Sequence, residues 1–496
     1  MTTAGLSFII IGASVSGLAS AISLKRSGHS VLILEKDAQL GGAASILNGC
    51  ARVCPNGSKI LLDWGLLDAE TKAKAAPMPG FAFFKYNAGY SEGSEPDFLG
   101  EHRWYPELLF EARGGYMQFR HHDFMRILYD EAMRDSSSRV SVRFGAEVVK
   151  IDCEACSVTL RSGEIHTADA IIGADGARGI VRRTLMREEG VSLDRDVPIG
   201  VALYRDLCMR MISLLGFYEY DDIGSTVFDM GRSTQMRAQL IALPASFCSP
   251  FVPFAAAWIF PVGRENDLAL SLYTPDATQD GTWTEEPEKN INDVIGPCDI
   301  RLKKLASLAG PTTCVQLKKP YALESWVSKS GRVVVLGEAA HPSPTGGLHP
   351  YAVALEDAVF IGKIFSHTRD RGRVPEFLYA FQEQREKRCA RIREIDLEYV
   401  EACITPLGPM HDQRDAGMRA NHAAGKNAME GDFQQMLDDF GVVFGYSAAD
   451  DADEWWINWG RFRNTNTENG NVEADGRLRS TSFISITTNA TKTGNQ

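Results

Sequence analysis

Residues 6–11 form an unbroken apolar run that stops at Gly12, and helical patterning begins a few residues later. This predicts a short buried strand, a tight glycine turn, and a helix over about 16–27 that Gly28 ends. A second buried strand follows at 31–34. Two later stretches repeat the theme. Residues 167–182 read TADAIIGADGARGIVR, a buried strand, then the turn Gly173-Ala174-Asp175-Gly176, then a basic helix start. Residues 331–358 read GRVVVLGEAAHPSPTGGLHPYAVALEDA, a buried strand followed by Gly337-Glu338, a Pro/Gly loop and a helix. Elsewhere the pattern changes. Residues 200–207, 255–260 and 268–273 are short apolar or alternating runs, as in antiparallel strands. Residues 148–160 and 165–168 read as a hairpin. Most of 366–460 reads as helix, and its charged run over 381–398 is read as a solvated face.

Composition narrows the class. A chain of 496 residues exceeds one hydrophobic core, and 44% apolar with 23% charged residues is ordinary globular composition. A net charge of -12 argues against nucleic acid and against a polybasic membrane anchor. The first 24 residues are uncharged, yet they lack a basic leader and hold too many Gly and Ser for a span. Ten cysteines are too few for a disulfide scaffold. A cytoplasmic protein without a membrane span is expected. The Cys153/Cys156 and Cys50/Cys54 pairs are read as a turn and a loop rather than zinc ligands. Trp455, Trp456 and Trp459 are read as helix-face packing.

The first turn is also a chemical motif. Gly12-Ala13-Ser14-Val15-Ser16-Gly17 is a GxGxxG pattern with Ser14 in the middle glycine position. Gly12 permits the turn, Gly17 permits close helix–strand packing, and the free amides at the helix start can hold a pyrophosphate. Glu35 ends the second strand, where a carboxylate grips ribose hydroxyls. Together these predict a dinucleotide site.

The three ordered motifs decide which dinucleotide. The N-terminal glycine turn, the GADG segment and the GxAAHP segment resemble those of the single-component FAD-dependent aromatic hydroxylases, which include salicylate hydroxylase and 4-hydroxybenzoate hydroxylase. The likeness is closest to fungal secondary-metabolite members and spans roughly residues 6–460. The 48–51 loop and Pro55-Asn56-Gly57 match the family's small-residue loop against the flavin. The resemblance implies an α/β fold with a discontinuous Rossmann-like FAD domain (1–80, 118–195 and 310–365). An antiparallel-sheet substrate domain (81–117 and 196–309), a C-terminal helical region (366–460) and a flexible tail (461–496) complete it.

It also implies site residues: Gly12, Ser14, Gly17, Glu35, Lys36, Gly49, Arg120, Asp175, Gly337, Glu338, Tyr351 and Ala352 for FAD. Strict spacing puts His121 at the family's cofactor arginine; Arg120, one position off, is preferred as a permanent cation. Further departures are Glu338 for Asp, Thr345 for Pro, His349-Pro350 for Gln-Gly, and Gly179 for Ser. His341 is read as capping the strand end rather than as a base. Candidates to meet the substrate are His122, Tyr204, Arg205, Tyr218, Tyr220 and Tyr273.

The implied reaction consumes NADPH or NADH and O2, and inserts one oxygen into an aromatic or polyketide-type metabolite through a flavin C4a-hydroperoxide. Alkene epoxidation, and a flavin oxidase or dehydrogenase that inserts no oxygen, are the alternatives. The expected partners are a small-molecule substrate and O2, with the chain a monomer or weak homodimer.

Overall fold

The computed structural model describes residues 5–41, 49–86, 97–135, 139–192, 197–208, 239–243, 256–263, 267–275, 290–307, 309, 312–319, 321–343, 347–403, 405, 408–431 and 433–462. The first strand, β1 (Ser7–Ile11), is apolar on both faces and lies mid-sheet, as parallel sheets covered by helices require. Its neighbours are β2 (Ser30–Leu34) and β12 (Ala170–Gly173). Strands β8 (Val140–Arg143) and β18 (Val333–Val335) form the edges. The order is β18-β12-β1-β2-β8, with every pairing parallel.

Helix α1 (Val15–Arg26) starts on the Ser14 N-cap, whose side chain accepts the Gly17 amide. It is buried over most of its surface against helix α5 (Pro350–Phe365). A Cβ on Gly362 would sit 2.3 Å from the Ser23 Cβ, so the two backbones nearly touch. Helices α2 (Pro55–Asp63), α3 (His121–Met133) and α4 (Ile180–Glu188) complete this half. Tyr218 and Tyr220 lie outside the described residues, as do 42–48, Thr345 and the chain beyond 462.

A seven-stranded sheet covers one end. Its order is β17 (Thr313–Lys319), β13 (Val197–Cys208), β16 (Asp267–Pro275), β15 (Ala256–Val262), β14 (Gln239–Leu243), β5 (Gly80–Lys85) and β6 (Phe98–Arg103). The runs read from alternation became β13, β15 and β16. All pairings are antiparallel except β14 with β5. A small sheet of β3 (Cys50–Val53), β7 (Met117–Arg120) and β4 (Ala75–Pro77) bridges the halves. Cys50 and Ala51 are thus paired strand rather than loop. The expected hairpin at 148–168 is a three-stranded meander, β9 (Val148–Asp152), β10 (Ser157–Leu160) and β11 (Ile165–Thr167). Cys156 sits in its turn at φ +48°.

The C-terminal region is helical: α6 (Val374–Cys403), α7 (Pro409–Ala423), α8 (Phe433–Phe444) and α9 (Ala448–Trp455). Two sequence readings need correction here. The charged run over 381–398 is not simply a solvated face, because Arg385, Arg388 and Asp396 are buried. They share one face of α6 with Cys389, Ile392 and Val400, and are hydrogen-bonded to partners on α5 and the loop before it. Trp455 and Trp456 do pack, against Phe377 and His367, but Trp459 is exposed.

Candidate active site

The site lies at the carboxyl ends of β1, β12 and β18, where parallel α/β sheets bind ligands. Gly12 adopts φ +102°, which a side chain would resist, and Gly17 packs so closely that a Cβ would fall 2.1 Å from the Gly12 oxygen. Ser14 also donates to the Ala174 carbonyl at 2.8 Å, tying the first turn to the GADG turn. Glu35 is half-buried at the end of β2. Its Oε2 accepts the Ala13 amide at 2.7 Å and its Oε1 the Asp37 amide at 2.9 Å, so the acid braces the turn it borders. Lys36 beside it is exposed.

Asp175 is half-buried, and desolvation of its carboxyl pushes it up to about 6 against the pull of the Val181, Asp175 and Ile180 amides. A Cβ on Gly179 would meet that carboxylate at about 2 Å, the Asp175 Cγ lying 2.0 Å away. The lack of a side chain at 179 thus leaves the space Asp175 fills.

The third segment closes the site. Gly337 (φ +58°) approaches Ser16, where a Cβ would lie 2.5 Å from the hydroxyl oxygen. Its amide donates to Asp357 at 2.9 Å, and Glu338 is exposed on the turn that follows. Asp357 also accepts from His341 Nε2 (2.6 Å) and Arg385 Nε (2.8 Å). Burial disfavours a charged His341, but Cys389 and Asp357 outweigh it and hold its pKa at about 10. Asp357 is held at about 2, burial opposing and His341 and Arg385 prevailing. His341 is therefore a locked cation, unsuited to act as a base near neutrality.

Helix α5 opens with Pro350 in its first turn, and its first intrahelical bond runs from the Val353 amide to the His349 carbonyl. The Tyr351 and Ala352 amides therefore lie in the turn that makes no intrahelical bond. A Cβ on Gly57 would lie 3.1 Å from the Ala352 Cα, which explains the small residues here. Gly49 accepts the His121 amide through its carbonyl at 2.7 Å. His121 is the one brought near Tyr351, with ring centroids 6.1 Å apart, whereas Arg120 lies alongside Gly263. Chain direction decides this: Arg120 ends β7 and His121 begins α3.

A profile of the FAD binding domain matches residues 6–199. An FAD-dependent monooxygenase from Arthrinium sp is 25% identical over 438 residues, covering 85% of this chain and 91% of that protein. The chain is similar to FAD-dependent monooxygenases over most of its length. Hispidin-3-hydroxylase from Neonothopanus nambi is 27% identical over 400 residues, 77% of this chain and 86% of that enzyme. A salicylate hydroxylase substrate complex superposes with a TM-score of 0.65 at 16% identity, covering 91% of this chain and 98% of that one, and so shares the fold.

The donor set of this chain fits FAD. Carboxylates at Glu35 and Glu338 suit hydroxyl groups, and two helix N-termini suit anionic groups. The seven-stranded sheet offers an aromatic face, with Trp258 against Tyr273 and Tyr399 at ring distances of 5.1 and 5.4 Å. Register places two of the substrate candidates. Position 205 pairs with Ser271 and position 204 with Leu272. Tyr273 is fully buried, and His122 is exposed beside Asp123. Arg52 escaped the sequence reading. It donates to the Gly347 carbonyl at 2.7 Å and lies 5.3 Å from the Trp258 ring, joining the loop to the sheet. Arg182 escaped as well; buried, it donates to the Ala339 and Tyr321 carbonyls and anchors the Glu338 turn. Among the described residues no helix is long and apolar enough to cross a membrane.

Proposed function

We propose that this protein takes electrons from NADPH or NADH and inserts one atom of O2 into an aromatic or polyketide-type small molecule. The observation that carries the reading is the convergence of the glycine turn, Glu35 and the Gly337-Glu338 turn at one sheet end, below an aromatic face. Bound FAD supplies the electron transfer and the activation of O2. The chain's part is to bind, orient and exclude water. The amides of the first turn of α1 take the pyrophosphate, Glu35 the ribose and Glu338 the ribityl chain. The Tyr351 and Ala352 amides face the negative charge that reduction places on the flavin pyrimidine. The aromatic cluster of Trp258, Tyr273 and Tyr399 suits an apolar ring beside it and keeps the site dry.

The name of hispidin-3-hydroxylase supports hydroxylation of a small molecule. The test is turnover of an aromatic panel under 18O2 with NADPH or NADH. One 18O atom on a ring carbon is expected. Product without 18O would identify an oxidase, and oxygen across an alkene an epoxidase; either would overturn the reading.

A further inference from the structure

The loop that delivers the chain into α5 is gripped on both its carbonyl and its amide side. The Gly347 carbonyl accepts from Arg52 at 2.7 Å, and the Leu348 carbonyl from the Cys54 thiol at 2.8 Å. The amides on the other side converge on one residue. Asp396, 1% exposed on α6, accepts the Leu348 amide at 2.8 Å and the His349 amide at 3.3 Å. Its Oδ1 also lies 2.7 Å from His349 Nδ1, and the carboxylate can only accept, so the ring donates. A Cβ on Gly347 would sit 2.6 Å from Asp396 Oδ2, so the loop is fitted to the carboxylate. His349 Nε2 is buried without a hydrogen-bond partner, while the ring itself is only 3% exposed.

A carboxylate is costly to bury, and three hydrogen bonds to one short loop are what offset the cost. The cost is spent two residues before the amides assigned above to the reduced flavin. We propose that Asp396 is a positioning residue for FAD: it clamps residues 347–349 and so aims the Tyr351 and Ala352 amides. This rests on the FAD reading above, and adds to it a residue from the C-terminal helical region. Without the clamp, the loop is held on its carbonyl side alone, and the helix start can tilt away from the ring.

The test uses the full-length FAD-loaded protein. Asp396→Ala should weaken oxidised FAD roughly tenfold, the scale of one lost charge-assisted contact. It should weaken reduced FAD further, so the flavin midpoint potential falls. Asp396→Asn keeps the shape and one acceptor, and should restore most of both. Gly347→Ala, which intrudes on the carboxylate without removing it, should lower the potential in the same direction and serves if Asp396→Ala does not fold. A role confined to stability would lower the melting temperature and leave the potential unchanged. Wild-type potential and FAD affinity in folded Asp396→Ala, or in Gly347→Ala should the former not fold, would overturn the clamp while leaving the FAD reading intact. A wild-type protein that cannot be loaded with FAD would instead overturn that reading.

Discussion

Replacing Arg385 by Met should be the most damaging single change beneath the site. Arg385 is fully buried and donates to Asp357 at 2.8 Å and to Glu356 at 2.8 Å. Arg388 shares Glu356 at 2.9 Å, and Asn56 completes it at 2.6 Å. Methionine fills most of the volume but leaves two buried carboxylates with two cations, His341 and Arg388, in place of three. Breaking a buried pair from one side costs about 3–5 kcal/mol. The pH dependence identifies the cause. Asp357 is held at about 2 against a usual 3.8, which at ~1.4 kcal/mol per pH unit is about 2 kcal/mol of stability. That contribution is complete above about pH 4 and is lost as pH falls toward 2. Removing Arg385 relaxes the depression, so the variant has less left to lose on the acid side. Urea unfolding of both proteins at pH 7 and at pH 3 should therefore show a deficit that shrinks on acidification. A deficit below ~1 kcal/mol, or one equal at both pH values, would refute the electrostatic account and leave lost packing as the cause.

Three more expectations follow from the site. Glu35→Ala should weaken FAD binding by about 1.5–3 kcal/mol, since a charged acceptor leaves both the ribose and the Ala13 amide; titration of the apoprotein by flavin fluorescence measures it. Gly179→Ser should cost about 1–3 kcal/mol by evicting the Asp175 carboxylate, and Asp175→Ala should relieve it; additive losses in melting experiments would exclude the clash. Tyr351→Phe should leave the flavin potential near wild type because the amide survives, whereas Ala352→Pro, in the non-bonded first turn, should lower it, and equal potentials would remove the amides from the assignment.

Local chemistry explains what could be read in advance. The β1–α1–β2 unit announces itself because a positive-φ glycine, an N-capping serine and an acid at a strand end are each short-range signals. β13, β15 and β16 showed through apolar runs and alternation. Strands β5, β6 and β17 did not, since their place in the sheet depends on pairing with distant partners, including the parallel β14–β5 contact. The charged run on α6 misled for a related reason. Buried Arg385 and Asp396 carry the same letters as solvated ones, and only Glu356, Asp357 and the 347–349 loop tell them apart. The spacing of Cys389, Ile392 and Val400 on that face was the available clue. Arg52 looked like an ordinary residue of a small-residue stretch until β3 set it between the loop and Trp258.

The central sheet has a temporal consequence. Strand β12 ends at Gly173 and its neighbour β18 begins at Val333, and α1 finds its main cover only in α5. A ribosome adding about 5–20 residues per second needs on the order of ten to thirty seconds to cross that gap. Throughout it the nascent chain carries an open sheet edge and an apolar helix face, both prone to off-pathway association. The Gly337-Glu338 turn and the first turn of α5 do not yet exist, so the site proposed for the flavin is incomplete. Flavin capture must then follow synthesis of α5. A fragment ending near residue 199, although it spans the recognisable FAD-binding profile, should emerge colourless and aggregate.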